Sequence, residues 1–167
     1  FKKVNDMKNI LLGLMATILF SCASNAQKNK VKDNDCNIEK VKKSKKEWKS
    51  QLTEIQYNVA REAGTERAFT GVYWDNKKKG VYKCIGCDLE LYSSETKFKS
   101  GTGWPSYWEA VDPCHVKEIQ DISYGMVRTE VVCARCNSHL GHIFNDGPKP
   151  TGERHCINSA SLTFEEI

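Results

Sequence analysis

The part of this chain expected to fold has no excess of positive charge. Residues 50–167 hold thirteen basic and sixteen acidic side chains, a net charge of −3. The basic footprint of a DNA or RNA binder is absent, so no nucleic-acid partner is expected. The formal +4 of the whole chain comes from the first 49 residues, and residues 28–49 alone carry nine Lys against four acids. Such a lysine run reads as solvated linker, with anionic lipid headgroups as the other surface it would suit. A membrane-spanning run is missing too. The apolar stretch Ile10 to Phe20 has eleven residues, too few to cross a bilayer but the right size for the core of a signal peptide. No internal repeat is visible apart from a doubled Cys pair, and no haem or iron–sulfur cysteine spacing occurs.

What is present supports one packed domain plus short attachments. Hydrophobic residues make up 40% of the chain, so disorder is not the expectation for most of it. Read from Met7, the sequence runs through Lys8 and the apolar stretch to Leu19-Phe20-Ser21-Cys22, which resembles a bacterial lipobox. Residues 1–26 are therefore expected to be a signal peptide, with Cys22 acylated as an anchor on the far side of the membrane from the cytosol. Cleavage after Ala26 and plain secretion is the alternative. Residues 27–44, rich in Lys, Asn and Asp, read as a flexible tether. Ser44…Glu47 and Thr53…Gln56 each fit a capping box, so two short helices should open a domain spanning 45–167. Beyond Gly64 the texture turns to β-prone pieces separated by turn signals. Gly80–Lys83, Leu89–Tyr92, Met126–Val132, His155–Ala160 and Leu162–Phe164 read as strands, which makes the domain all-β apart from its first helices.

Eight cysteines in a chain of this length exceed what packing explains. Four of them form two C-x-x-C knuckles, Cys84–Cys87 and Cys133–Cys136, each following an expected strand. Two such turns can converge four thiolates on one metal, and a closed four-cysteine set suits a structural Zn²⁺ with no open coordination position. Two disulfides, or one redox-active C-x-x-C, are the other readings. A thioredoxin-like motif, however, needs a βαβ setting that this β-rich sequence does not supply.

Residues with chemical potential gather in three segments: Ser100–Ser106, His139–Pro148 and Gly152–Ser159. Three of the four His in the chain lie in the last two, close to Cys156, the late Cys outside the knuckles. A thiol becomes reactive where cationic or hydrogen-bonding neighbours lower its pKa and it stays accessible. Arg154, two positions before Cys156 on the same strand face, would supply charge. His139 and His142 would donate from a neighbouring element.

These segments, with Gly64-Thr65-Glu66, the Tyr82–Cys87 knuckle and Ser94–Phe98, resemble the peptide-methionine (R)-S-oxide reductase family, the B-type methionine sulfoxide reductases. The resemblance runs from about Leu52 to Phe164. It implies two antiparallel sheets, a four-cysteine zinc site away from catalysis, and Cys156 as nucleophile. Trp104 would form the wall against the substrate methyl, while His139, His142, Asp146, Arg154 and Asn158 would line the polar side. His155 stands where the family usually has Tyr or Phe, and either tunes Cys156 or points to the opposite sheet face. The implied chemistry is attack of Cys156 on a methionine sulfoxide in an oxidised protein, a sulfenic acid intermediate, and resetting by a thioredoxin-like dithiol. Thr102 occupies the place where many relatives keep a resolving cysteine. After the zinc ligands, Cys156 and Cys22 are set aside, Cys114 and Cys36 remain as resolving candidates, with direct external reduction as the other route. Two readings from other classes compete: a non-catalytic four-cysteine, zinc-ribbon-like binding module, and a zinc hydrolase, which would need an open metal position.

Overall fold

The computed structural model of the chain describes residues 36–167. The signal peptide and lipobox at Cys22, and the tether residues 27–35, lie outside the described residues. Two short helices open the domain, α1 over Lys45–Gln51 and α2 over Glu54–Glu62. Both expected capping boxes are present: Ser44 with Glu47, and Thr53 with Gln56, each satisfying two N-terminal N–H groups. Helices of seven and nine residues are not stable alone. Burial of Trp48 and of Val59 and Ala60 holds them to the domain, and Arg61 covers the Trp48 ring at 4.7 Å.

The remainder is two antiparallel sheets. Strands β1 (Gly80–Cys84), β2 (Glu90–Ser93) and β9 (Leu162–Glu166) form one, in the order β2-β1-β9. The larger sheet contains β3 (Lys97–Phe98), β4 (Ser106–Tyr107), β5 (Val116–Asp121), β6 (Arg128–Cys133), β7 (His139–Phe144) and β8 (Arg154–Ile157), ordered β3-β4-β8-β7-β6-β5. Tyr82 and Leu91 of the small sheet share one buried cluster with Tyr107, Val131, Ile143 and Ile157 of the large one. The Tyr92 and Tyr107 rings stack at 4.4 Å, and Tyr82 meets Tyr107 edge-on at 5.3 Å. The offset and edge-on arrangements are those that ring quadrupoles favour.

Strand alternation then divides the large sheet. Tyr107 pairs with His155, and His155 with Ile143, on the face that meets the core. The neighbouring row runs Ile119, Glu130, His142, Cys156, Ser106, Phe98, one residue from each of six strands. Side chains of one row share one face. The sheet therefore carries Cys156 and His142 side by side on the face away from the tyrosines.

Three expectations need correction. The strand expected over Met126–Val132 starts at Arg128, because Tyr124 and Gly125 sit in the left-handed region and close a turn, leaving Val127 75% exposed. The last segment ends as a strand at Ile157 and becomes a 3-10 turn over Ser159–Ser161. Residues 36–44 are not a loose tether. The Val41 N–H donates to Arg135 O at 2.9 Å, Lys40 Nζ donates to Ala134 O at 2.9 Å, and Ile38 and Val41 rest on the core. Cys36 is bonded to Cys114, with their Cα atoms 5.4 Å apart, within the range a disulfide needs. No helix among the described residues is long and apolar enough to cross a membrane.

Candidate active site

The two knuckles are built alike. β1 ends in Cys84 and β6 in Cys133, and in each the residue four places on, Asp88 or Asn137, adopts a left-handed conformation. Asp and Asn tolerate that region, which lets the chain turn back tightly. The N–H of Asp88 donates to Cys84 O, and that of Asn137 to Cys133 O, both at 2.9 Å. Cys84, Cys87, Cys133 and Cys136 consequently bring their sulfurs within 4.8 Å of one another. Sγ–Sγ separations of 3.6 Å (Cys84–Cys136) and 3.5 Å (Cys87–Cys133) approach the ~3.8 Å edge of a tetrahedron with ~2.3 Å metal–sulfur bonds. The four residues fit a tetrahedral thiolate-bound ion and leave no vacancy. Arg61 reaches Cys136 O and Arg135 reaches Cys87 O, placing two cations beside four thiolates.

Cys156 lies in β8 on the other face from the tyrosines. Arg154, two residues before it, makes a two-pronged pair with Asp146, Nε to Oδ1 at 2.9 Å and NH2 to Oδ2 at 3.0 Å. Its guanidinium lies over the Phe144 ring at 4.4 Å. Asp146 is largely exposed, so it acts on the site by orienting Arg154, whose hydrogen bonds and charge in turn lower the Asp146 pKa. Burial pushes the Cys156 thiol up from its ordinary value, while the Arg154 charge and the Thr102 hydroxyl pull it down. Burial prevails, so the expectation of a thiol lowered by Arg154 is met in sign for that neighbour but not in total. If Arg154 does oppose burial, Arg154→Met should move the midpoint of Cys156 alkylation to higher pH. An unchanged or lower midpoint in a pH series with iodoacetamide would remove Arg154 from this role.

Thr102 begins a chain of hydroxyls beside the thiol: Ser100 Oγ is 2.9 Å from Thr102 Oγ1, and Ser106 Oγ donates to Ser100 Oγ at 2.8 Å. The turn that carries them needs Gly103, whose φ is +90° and where a Cβ would meet Phe69 N at 2.8 Å. Beyond the turn opens a pocket of about 280 Å³, lined by Phe69, Trp74, Phe98, Ser100 and Trp104 among others. Cys156 is not part of that lining, and Ser100 and Thr102 link the two places.

His142 pairs with Cys156 across β7–β8, and its Nε2 lies 2.9 Å from Asp121 Oδ2. His139 sits three residues earlier, which in a regular strand would place it on the opposite face. β7 carries a bulge at this point, with His139 opposite Val132 and Gly141 opposite Val131. The extra residue turns His139 back, and its ring centre lies 5.5 Å from that of His142. A Cβ at Gly141 would strike the carbonyl oxygen of Cys156, so glycine is required for β7 and β8 to approach here.

His155 points into the core, its Nδ1 3.1 Å from the Tyr92 hydroxyl, which settles its side of the sheet. Asn158 does not line an open polar wall. It is buried, with Oδ1 accepting from Glu66 N at 3.0 Å and Nδ2 donating to Leu140 O at 3.0 Å. Cys36 and Cys114 are spent on each other, so neither is a free resolving thiol.

One residue whose role the sequence did not reveal is Glu66. Its carboxylate accepts the N–H groups of Ser159 at 2.6 Å and Ala160 at 2.9 Å, and its carbonyl accepts Trp104 Nε1–H at 3.1 Å. The buried side chain thus ties down the segment after Cys156, while the backbone of the same residue holds the Trp104 ring. Its only sequence signal was membership in Gly64-Thr65-Glu66. Glu66→Ala should cost about 2–4 kcal/mol, because two buried N–H groups lose a charged acceptor. A change in unfolding free energy of less than about 0.4 kcal/mol in a urea titration would show that the ties are incidental.

Residues 52–166 match the SelR domain family. The chain is 58% identical over 126 residues to "Peptide methionine sulfoxide reductase MsrB" of Synechococcus sp. (strain RCC307), covering 75% of this chain and 93% of that protein. It is 55% identical over 127 residues to the protein of the same name from Hahella chejuensis, covering 76% and 91%. With the one from Agrobacterium fabrum it shares 54% over 134 residues, covering 80% and 99%. A half-buried thiol flanked by Arg154 and His142, a four-cysteine staple and this extent of identity agree: the chain belongs to the peptide-methionine (R)-S-oxide reductase family.

Proposed function

We propose that this enzyme reduces methionine-R-sulfoxide in proteins through a Cys156 sulfenic acid that an external dithiol resets. The observation that carries this reading is the surroundings of Cys156: Arg154 and the Thr102 hydroxyl act on its sulfur, and His142 is its cross-strand neighbour. The atoms balance without any other reactant. Cys156 sulfur attacks the sulfoxide sulfur, the oxygen transfers to Cys156, and the substrate leaves as a thioether two electrons richer. The thiol proton ends on the sulfenic oxygen. Because burial keeps the resting thiol protonated, that proton is available at the start. The imidazole pair on the same face can hold water that donates to the sulfoxide oxygen as its charge develops.

Among the described residues no free thiol outside the metal cluster remains to resolve the sulfenic acid. A thiol of a thioredoxin-like partner condenses with it, releasing water and forming a mixed disulfide. The partner's second thiol then frees Cys156. Trp104 and the neighbouring aromatic pocket favour the substrate's methyl end and apolar flanks. The four-cysteine site is read as Zn²⁺, held by Cys84, Cys87, Cys133 and Cys136; when bound it supplies folding energy and takes no part in the reaction.

We place the protein outside the cytosol, anchored through an acylated Cys22. The lipobox-like Leu19–Cys22 supports this, and so does the Cys36–Cys114 disulfide, a bond that persists in oxidising compartments. Mass spectrometry of the mature N-terminus tests the anchor: a lipid-free chain starting at Gln27 would show plain secretion. The activity is tested with a dithiol reductant and a peptide carrying each sulfoxide epimer. Turnover of the R epimer alone is expected, and equal rates on both would overturn the assignment.

A further inference from the structure

Two carboxylates outside the expected site hold the two imidazoles, and they do so through different nitrogens. Glu130 Oε1 lies 2.5 Å from His139 Nδ1, whereas Asp121 Oδ2 lies 2.9 Å from His142 Nε2. A carboxylate accepts, so His139 carries its hydrogen on Nδ1 and His142 carries one on Nε2. The second nitrogen of His139, Nε2, is buried and has no hydrogen-bond partner among the described residues. A buried polar atom left in that state costs stability unless something fills the position. His139 is only 4% exposed, so its ring is not free to turn towards water. Nε2 is therefore a buried acceptor that no group among the described residues satisfies.

The carboxylates are themselves fixed. Asp121 accepts the Ser123 N–H at 2.9 Å, and the Arg128 guanidinium donates to the same Oδ2 that binds His142, at 2.5 Å. Hydrogen bonds from Ser123 and His142 hold the Asp121 pKa well below the usual range. Glu130 belongs to the row that contains His142 and Cys156, yet its carboxylate reaches along the strand to His139, where the β7 bulge has brought that ring round. The exchange leaves each histidine with one nitrogen tied and the other directed elsewhere.

We propose that Glu130 and Asp121 are positioning residues, which fix His139 and His142 in opposite tautomers so that Nε2 of one and Nδ1 of the other each accept a hydrogen bond from a water that donates its second hydrogen to the sulfoxide oxygen. The proposal rests on the reductase reading for its purpose, but the tautomers stand independently of it. Neither carboxylate touches substrate. Each acts through an imidazole, as a partner that orients a histidine does in other sites.

The test combines two-bond ¹H–¹⁵N spectra of the imidazoles with kinetics on the R-sulfoxide peptide. Wild-type protein at neutral pH should show His139 as the Nδ1–H tautomer and His142 with its hydrogen on Nε2. Glu130→Ala should let His139 become a tautomer mixture and lower kcat by about 10- to 100-fold, less than the ~10²–10⁴ of a proton donor itself, with KM within about 3-fold. Glu130→Gln keeps an acceptor oxygen and should restore most of kcat; it also serves if the alanine variant does not fold. Asp121→Asn should act on His142 in the same manner. A wild-type His139 with its hydrogen on Nε2, or a folded Glu130→Ala with unchanged kcat, would overturn the proposal. If wild-type protein leaves both epimers untouched while the tautomers are as stated, the reductase reading has failed and the positioning has not.

Discussion

Cys156→Ser should abolish sulfoxide reduction, with a loss on the order of 10³- to 10⁶-fold, while leaving the domain folded. The size follows from chemistry: a hydroxyl is a poor nucleophile near neutral pH, and oxygen cannot take up the substrate's oxygen as a sulfenic acid does. The fold should tolerate the change because Cys156 is only half-buried at the sheet surface, and Ser is close to it in volume. Backbone pairing of β8 with β4 and β7 does not involve the side chain. The decisive comparison is steady-state reduction beside a thermal melt. Retained activity above about 1% in a folded variant would move the chemistry to another residue.

The second large effect concerns the staple. Cys84→Ser should leave the domain unfolded or aggregated instead of folded and inactive. A structural zinc site contributes ~10–16 kcal/mol of apparent binding energy in small systems, while a domain of this size is stable by only ~5–15 kcal/mol in total. Cys84 ends β1, and Cys133 and Cys136 flank the hairpin to β7, so the ion would join the small sheet to the strand beside Cys156. The expected observation is one Zn²⁺ per chain by elemental analysis of wild type and no cooperative melt for the variant. Iron in its place, or active metal-free protein, would contradict the assignment.

Local signals in the sequence reached some of this structure and missed other parts, for physical reasons. Both capping boxes are short-range hydrogen-bond patterns, and both helices begin where those patterns placed them. The two knuckles were legible because C-x-x-C after a strand restricts where two thiols can go, and the four sulfurs do converge. The placement of Arg154 beside Cys156 followed from strand periodicity alone. The bulge in β7 was not readable, since a three-residue spacing between His139 and His142 implies opposite faces unless an extra residue intervenes. Glu66 and Asp121 were missed for a related reason. Their partners lie 93 and 21 positions away, and neither carries a pattern that marks a buried acceptor. The Cys36–Cys114 bond likewise spans 78 residues. With it, a segment whose composition resembles linker is held on the second knuckle.

The central claim is that Cys156 alone takes the oxygen from methionine-R-sulfoxide and has no free thiol among the described residues to resolve it. Its most direct test is a single turnover without reductant, followed by dimedone trapping and mass spectrometry of the intact chain. One equivalent of R-sulfoxide peptide should yield one dimedone adduct, mapped to Cys156, and the S epimer should yield none. Loss of two thiols with no adduct would instead show an intramolecular disulfide, and the account of Cys156 as a solitary thiol would be wrong.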